Sequence, residues 1–269
     1  MAPTVLITGA SQGTGKATAL LFAQQGYDII MAARQVDRLT EVATQVQQMG
    51  RQALAMGTDV GNPEQVEHLC REALKVYGQI DVLINNAGIC LSGPIQETSR
   101  QDWQRIMDTN FWGYVYTIEQ LVPHFIARGK GTIVNVGSLG GKMPLPKMTA
   151  YCASKYAVTG LTETLRLELA PLGIQVCAIH PGVIKSDFME RAMFRGEDDK
   201  AVSGMREQMD RAIASFWASQ PEEIAAAIWD ALKQGKDEAI VGPAWMATEA
   251  YRLFPGAVQW AMSSQVKRS

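Results

Sequence analysis

The sequence predicts an α/β fold, a doubly wound parallel sheet in one domain with a helical lid. Short apolar, β-branched runs alternate with longer amphipathic stretches, the pattern of strand–helix–strand units whose crossovers make the sheet parallel. The strand runs are apolar throughout instead of alternating, as expected where helices cover both faces. A glycine-rich turn joins the first strand run to the first helical stretch.

Val5–Ile7 is the first strand candidate and Gly15–Gln25 the helix after it. Asp28–Ala32 and Arg38–Met49 form the second pair, and Ala53–Met56 and Pro63–Tyr77 the third. Val82–Ile84 and Thr132–Val136 are further buried strands, and a long apolar helix carries Asn110 to Ile126. The helix over 153–170 leads to a strand at Gln175–Ile179, and Ala239–Val241 is the last strand. Two segments break the alternation. Residues 187–217 hold Phe188, Met189, Met193, Phe194, Met205, Met209, Phe216 and Trp217 among charges. Residues 243–269 form an apolar tail with Trp245, Tyr251, Leu253, Phe254 and Trp260. Without an internal repeat or low-complexity linker, residues 1–269 read as one domain.

At 269 residues, with 47% hydrophobic and 19% charged residues, the chain can bury a full core. A formal charge of −2 lacks the basic field that nucleic-acid binding requires, so no nucleic-acid partner is expected. Four scattered cysteines (Cys70, Cys90, Cys152, Cys177) and three separated histidines (His68, His124, His180) make neither a disulfide framework nor a metal site. No charged n-region with a long apolar run follows Met1, and no apolar run reaches spanning length. A reducing, cytoplasmic setting is the expectation.

The first turn reads Thr8-Gly9-Ala10-Ser11-Gln12-Gly13-Thr14-Gly15, with spacing G-x-x-x-G-x-G. Glycines let the backbone approach a pyrophosphate, and the helix that follows offers free N–H groups and the positive end of its dipole. Alone, such a turn is only a tight strand–helix connection; its place at the first βα junction favours a nucleotide. Asp28 lies about 20 residues on, where a ribose-reading acid is sought, but it opens its strand, and cofactors bind beyond strand carboxyl ends. The carboxyl end reads Ala32-Ala33-Arg34, without an acid. The guanidinium of Arg34 suits a 2′-phosphate by charge and by its bidentate fork, although a solvated surface arginine would look the same.

Tyr151 and Lys155 stand at i and i+4, on one helical face. A lysine cation and an oxidised nicotinamide would favour the phenolate and lower the tyrosine pKa, fitting it to exchange a proton with an alcohol or alkoxide. The pair is common by chance, but it has company. Ser138 ends a strand, Asn85-Asn86-Ala87-Gly88 follows another, and Pro181-Gly182-Val183-Ile184-Lys185-Ser186 follows a third, all at the same sheet edge.

Taken in order, T-G-x-x-x-G-x-G, N-N-A-G, the serine, Y-x-x-x-K and P-G resemble the short-chain dehydrogenase/reductase family. The resemblance runs from about Thr4 to about Asp187, with weaker echoes to Gly242. It implies a Rossmann-like oxidoreductase with Tyr151 as general acid/base and Ser138 orienting a carbonyl. Lys155 would bind the nicotinamide ribose and lower the tyrosine pKa, and Asn110 would hold a relay water. Asp59 and Val60 match the adenine-contacting position and Arg34 the position that marks NADP(H) members. With them, Gly9, Ser11, Gln12, Gly13, Thr14, Gly15, Asn86, Ala87, Gly88, Tyr151, Lys155, Pro181, Gly182, Ile184 and Ser186 form the expected cofactor contacts. For the helices carrying Asn110 to Ile126 and Tyr151 to Ala170 the resemblance implies a contact between subunits, and so a homodimer or homotetramer.

Three departures matter. Gln12 stands where family members often carry a base, and Ser186 where threonine is usual. The Gly-Gly segment usual in reductases of carrier-bound β-ketoacyl chains is replaced by Val241-Gly242-Pro243-Ala244-Trp245 and the tail. The expected substrate is therefore a medium-sized apolar carbonyl or secondary alcohol, with a 3-oxoacyl-carrier-protein reductase as the alternative. A non-catalytic NADP-binding sensor or scaffold is the remote alternative, which the intact Ser/Tyr/Lys set opposes. Cys90, Met143, Leu145 and Met148 are the expected pocket wall, and residues 187–217 the lid. Tail residues Met246, Ala250, Leu253 and Phe254 recur at helical spacing before Pro255, which should kink or end that helix. The expected tail covers the substrate entrance in preference to lying in a membrane interface, because its basic residues are few.

Overall fold

The computed structural model describes residues 2–185, 192–215 and 218–266. Strand β1 (Thr4–Thr8) runs through the glycine turn into α1 (Gly13–Gln24), then β2 (Asp28–Ala33), α2 (Val36–Gln48) and β3 (Ala53–Gly57). Helix α3 (Pro63–Tyr77) begins with the Asn62 side chain capping the Gln65 N–H and Pro63 in the first turn, and it ends on Gly78 at φ 70°. It leads into β4 (Val82–Asn85), followed by β5 (Leu91–Ser92). Helix α4 (Arg100–Met107) starts from a capping box between Ser99 and Asp102. A π-helical segment, Asp108–Trp112, joins it to α5 (Gly113–Arg128). Next come β6 (Gly131–Val136), α6 (Thr149–Leu169), β7 (Ile174–Pro181) and β8 (Met193–Phe194). The chain continues through α7 (Asp199–Ala214), α8 (Pro221–Gln234), β9 (Glu238–Val241), α9 (Ala244–Leu253) and α10 (Pro255–Val266). The expected break at Pro255 separates α9 from α10.

Seven strands pair in parallel in the order β3-β2-β1-β4-β6-β7-β9, and β5 pairs with β8 beside them. The order reverses between β1 and β4, whose register sets Val5 against Val82 and Ile7 against Ile84. Alternate residues of β1 enter opposite cores. Val5 and Ile7 pack with Phe22, Leu39, Val46 and Ile228, whereas Leu6 packs with Leu69, Leu83, Leu121 and Phe125. Both faces are thus dry, which explains the unbroken apolar strand runs.

A buried polar line crosses the sheet just under its carboxyl edge. The Thr117 hydroxyl donates to Asn85 Oδ1 at 2.7 Å, Asn85 Nδ2 to Asn135 Oδ1 at 3.0 Å, and Asn135 Nδ2 to Thr162 Oγ1 at 2.9 Å. All four side chains are fully buried. The line ties α5, β4, β6 and α6 at one level, and α6 carries Tyr151 and Lys155. Asn135→Leu would strand the Asn85 amide in a dry interior at a cost of ~1–3 kcal/mol. Thermal unfolding should move down by several degrees; an unchanged Tm would contradict this account of the line.

Candidate active site

The turns after β1 and β4 interlock at the strand-order reversal. Gly9 and Gly13 take φ values of 68° and 53°, in the left-handed region that glycine occupies freely. A Cβ on Gly15 would stand 2.2 Å from the Gly9 carbonyl oxygen, so the chain closes here only with glycine. The Thr8 hydroxyl accepts the Asn86 and Ala87 N–H groups at 3.0 and 3.1 Å. Asn86 Nδ2 donates back to the carbonyls of Thr8 at 2.9 Å and Gly9 at 3.2 Å. Together with α1, these turns form one wall of a cavity of about 580 Å³.

Gly9, Ser11, Gln12, Gly13, Thr14 and Gly15 all line this cavity, as do Arg34, Asp59, Val60, Asn86, Ala87 and Gly88. Gln12 is buried; its Oε1 accepts from Arg38, and its Nε2 has no partner among the described residues. No side chain caps the start of α1 among the described residues. Buried, unspent donors at a helix N-terminus suit a phosphate. Asp28 lies at the opposite end of its strand, 2.6 Å from Arg51 and accepting the Gln52 N–H at 2.9 Å. It is structural, as its place at the start of the strand implies.

On the other wall, Tyr151, Lys155 and Ser138 come together. Ser138 follows β6, and its hydroxyl oxygen accepts the Gly140 N–H at 3.1 Å. Tyr151 and Ser138 line the same cavity, near enough for the Ser138 hydroxyl to act on the ionisation of the phenol. Lys155 Nζ donates to the Val136 carbonyl at 2.9 Å, an oxygen shared with the Tyr114 hydroxyl at 2.9 Å, and sits 5.3 Å from the centroid of the Tyr114 ring. Burial pushes the Tyr151 phenol well above its ordinary pKa, the neighbouring Cys90 adds to the rise, and the Ser138 hydroxyl opposes it. Burial also pulls the Lys155 ammonium down to about 8. The lowering expected of Tyr151 requires the lysine cation together with an oxidised nicotinamide; in the protein alone desolvation dominates and the phenol keeps its proton.

Asn110 stands in the π-helical segment, fully buried. Its Oδ1 accepts the Ile89 N–H at 2.8 Å, and its Nδ2 donates to the Ile89 carbonyl at 2.9 Å and the Ser154 hydroxyl at 3.0 Å. Its amide is spent on holding the loop after Gly88, and the neighbouring Thr109 lines the cavity instead. Pro181, Gly182 and Ile184 line the cavity after β7. Ser186 lies outside the described residues, as do Phe188, Met189, Phe216, Trp217 and the Lys267-Arg268 end.

Of the expected pocket wall, Cys90, Leu145 and Met148 line the cavity. Met143 does not: its N–H bonds back to the Leu139 carbonyl at 3.0 Å, and the side chain is buried apart from the cavity. The next residues reach it instead, through a turn with Lys147 at φ 63°. Burial, chiefly, pushes the Cys90 thiol up to about 12, which makes it packing and no nucleophile. Tyr151, Cys90, Ala192, Phe194 and Met205 form one apolar cluster with Met148 and Met209 against it. Met205 and Met209 come from α7, and Met262 of α10 also lines the cavity. Met262 belongs to the apolar face of the tail, with Ala257, Val258 and Ala261, that the sequence predicts to line or lid the substrate entrance.

The profile of the short chain dehydrogenase family matches residues 3–195. The chain belongs to the short-chain dehydrogenase/reductase family. An uncharacterized oxidoreductase of Bacillus subtilis is 33% identical over 245 residues, 88% of this chain and 65% of that protein. A 3-oxoacyl-[acyl-carrier-protein] reductase of Staphylococcus epidermidis is 35% identical, over 70% of this chain and 77% of its own. A cyclohexanol dehydrogenase of an Acinetobacter species is also 35% identical, over 67% of this chain and 72% of its own. Among solved structures, a family member from Burkholderia phymatum in complex with NAD superposes with a TM-score of 0.85 at 26% identity, over 93% of this chain and 94% of that one. A Sphingobium yanoikuyae member in complex with NADPH gives 0.78 at 29%, over 97% and 95%. The chain is thus an oxidoreductase of a family that binds nicotinamide cofactors. Among its described residues no helix is long and apolar enough to cross a membrane, and no cluster of His, Cys, Asp or Glu could hold a metal ion.

One long-range pair was not legible in the sequence. Arg195, just after β8, grips Asp102 at the start of α4 with Nε–Oδ2 3.0 Å and Nη2–Oδ1 2.6 Å. The guanidinium, then the Ser99 contacts, hold the Asp102 carboxyl below its ordinary range against the opposing effect of burial. A depressed carboxyl stabilises above its unfolded value, so the grip persists at neutral pH and fails only as acid protonates Asp102. Asp102→Asn should therefore loosen the segment after β8 at pH 7, with trypsin cutting at Arg195 severalfold faster than in the parent. Equal cutting rates would contradict the anchoring.

Proposed function

We propose that the protein is an NADP(H)-dependent oxidoreductase that transfers a hydride between the nicotinamide and a carbonyl or secondary alcohol of a medium-sized apolar substrate, reduction being the working direction. The observation that carries this reading is that Ser138, Tyr151 and, one helical turn further, Lys155 line the same cavity as the glycine turn. The unspent Gln12 amide and the open N-terminus of α1 fit a pyrophosphate, and Arg34, at a strand end without an acid, fits a 2′-phosphate. Bound NADPH supplies the hydride. The Ser138 and Tyr151 hydroxyls hold the carbonyl oxygen, and the protonated phenol gives its proton to that oxygen as it becomes an alkoxide. Lys155 holds the nicotinamide ribose and stabilises the phenolate left behind. Asn110 acts by its main chain, since its amide is spent, holding a water that returns the proton. Asp59 and Val60 would contact the adenine, and Gly182 and Ile184 would line the rest of the cofactor site, with Ser186, outside the described residues, expected beside them.

For substrate class, the support lies in the wall. Met148, Met205, Met209 and Met262 are flexible, apolar and adaptable, and Met262 brings α10 to the cavity wall. This favours a free lipophilic carbonyl over a carrier-bound thioester, although relatives of both kinds share 35% identity with the chain. Exposed Trp112, Ile126, Tyr156 and Leu167 on α5, α6 and the adjoining π-helical segment support a homodimer or homotetramer; a cytoplasmic setting is part of the same proposal.

NADPH oxidation measured across a panel of ketones, aldehydes, diketones and acyl-carrier thioesters tests the reading. Turnover should favour free apolar ketones, and truncation after Gly242 should raise KM for bulky ketones far more than for NADPH. Arg34→Asp removes a charge-assisted contact of ~1.5–3 kcal/mol, so preference for NADPH over NADH should fall at least ~tenfold. A parent protein that prefers NADH, or that acts only on carrier thioesters, would contradict it.

A further inference from the structure

The turn that carries Ser138 is tied from below by groups outside the chemistry described so far. His180, fully buried near the end of β7, donates from Nδ1 to the Ser138 carbonyl at 3.3 Å. Its ring lies flush against the backbone: a Cβ on Gly137 would stand 2.6 Å from Nδ1 and 2.8 Å from Cε1. The other ring nitrogen, Nε2, is 3.1 Å from Oε1 of Glu238, the first residue of β9, but off the axis of a full hydrogen bond. The same Oε1 is 2.6 Å from Nζ of Lys142, which closes the short turn Leu139–Gly141 after the serine and also reaches Glu163 at 3.4 Å. One carboxylate thus engages both sides of the serine's turn. The His180 contact chiefly, with Lys142, outweighs partial burial and holds the Glu238 carboxyl down at about 2, so it remains charged across the working pH range.

We infer that Glu238 and His180 are positioning residues for Ser138, clamping its main chain so that its hydroxyl is presented to Tyr151 and to the substrate oxygen. The inference rests on the role proposed above for Ser138. Without the carboxylate, His180 loses the group that orients its far nitrogen, and Lys142 loses its shorter anchor. The serine carbonyl then rests on the Gly141 N–H at 2.9 Å alone, and the turn that presents the hydroxyl is held less firmly. Small misplacements of a group that contacts the reacting atoms are costly in rate but not in cofactor affinity.

A double-mutant cycle reads this directly. Glu238→Leu should lower kcat for ketone reduction roughly tenfold while NADPH Kd stays within about twofold, and Glu238→Gln, which keeps an oxygen for Lys142, should recover part of the loss. In a Ser138→Ala background, Glu238→Leu should change kcat less than about twofold, because the group it positions is gone. General structural damage would instead multiply with the loss from Ser138→Ala. Multiplying factors, or a Glu238→Leu enzyme at the parent rate, would overturn this inference alone; a Ser138→Ala enzyme at the parent rate would overturn the serine's role and this inference with it. If Glu238→Leu does not fold, Glu238→Gln and His180→Asn complete the same cycle, with the same two outcomes deciding it.

Discussion

Parallel pairing of β1 with β4 forces every strand-to-helix turn onto one edge of the sheet and opens a crevice where the strand order reverses. Everything functional hangs from that edge. The glycine turn and the Asn86 turn meet there and bond to each other through Thr8. The serine's turn stands two strands from β1, set by the β4–β6 register that places Asn85 opposite Asn135. The buried polar line through those asparagines keeps α5 and α6 at the same height, and so sets the level of Tyr151 and Lys155 beside Ser138.

The site's electrostatics follow from its dryness. Desolvation raises the phenol and lowers the ammonium, so the protein alone holds a protonated acid beside a lysine that gives up its charge easily. Val136 serves as the hub: its carbonyl accepts from both Lys155 and Tyr114, fixing the end of β6 just before the serine.

Much of this was legible because motifs of local chemistry sit at strand ends. Apolar runs gave the strands, and the G-x-x-x-G-x-G, N-N-A-G and Y-x-x-x-K segments gave the residues that line the crevice. Asp28 could be set aside from its place in the strand alone, and its pairing with Arg51 agrees. What escaped was tertiary. Nothing local says that Met143 is buried away from the cavity while the turn at Lys147, with its φ of 63°, brings Met148 to the cavity wall. The Arg195–Asp102 grip and the Glu238 clamp join residues 93 and 58 positions from their partners Asp102 and His180, distances that periodicity does not reach. The π-helical setting of Asn110 and its spent amide are not legible in the sequence, since a π turn has no sequence period of its own.

The account's central claim is that a protonated Tyr151, held by Ser138, delivers the proton that completes carbonyl reduction. Its most direct measurement compares NADPH binding, by fluorescence titration, with single-turnover NADPH oxidation in the parent and in Tyr151→Phe, using a ketone the parent reduces. The account predicts unchanged NADPH affinity and a single-turnover rate lower by roughly two orders of magnitude or more, the contribution of a positioned general acid. A Tyr151→Phe protein that oxidises NADPH at the parent rate would contradict it.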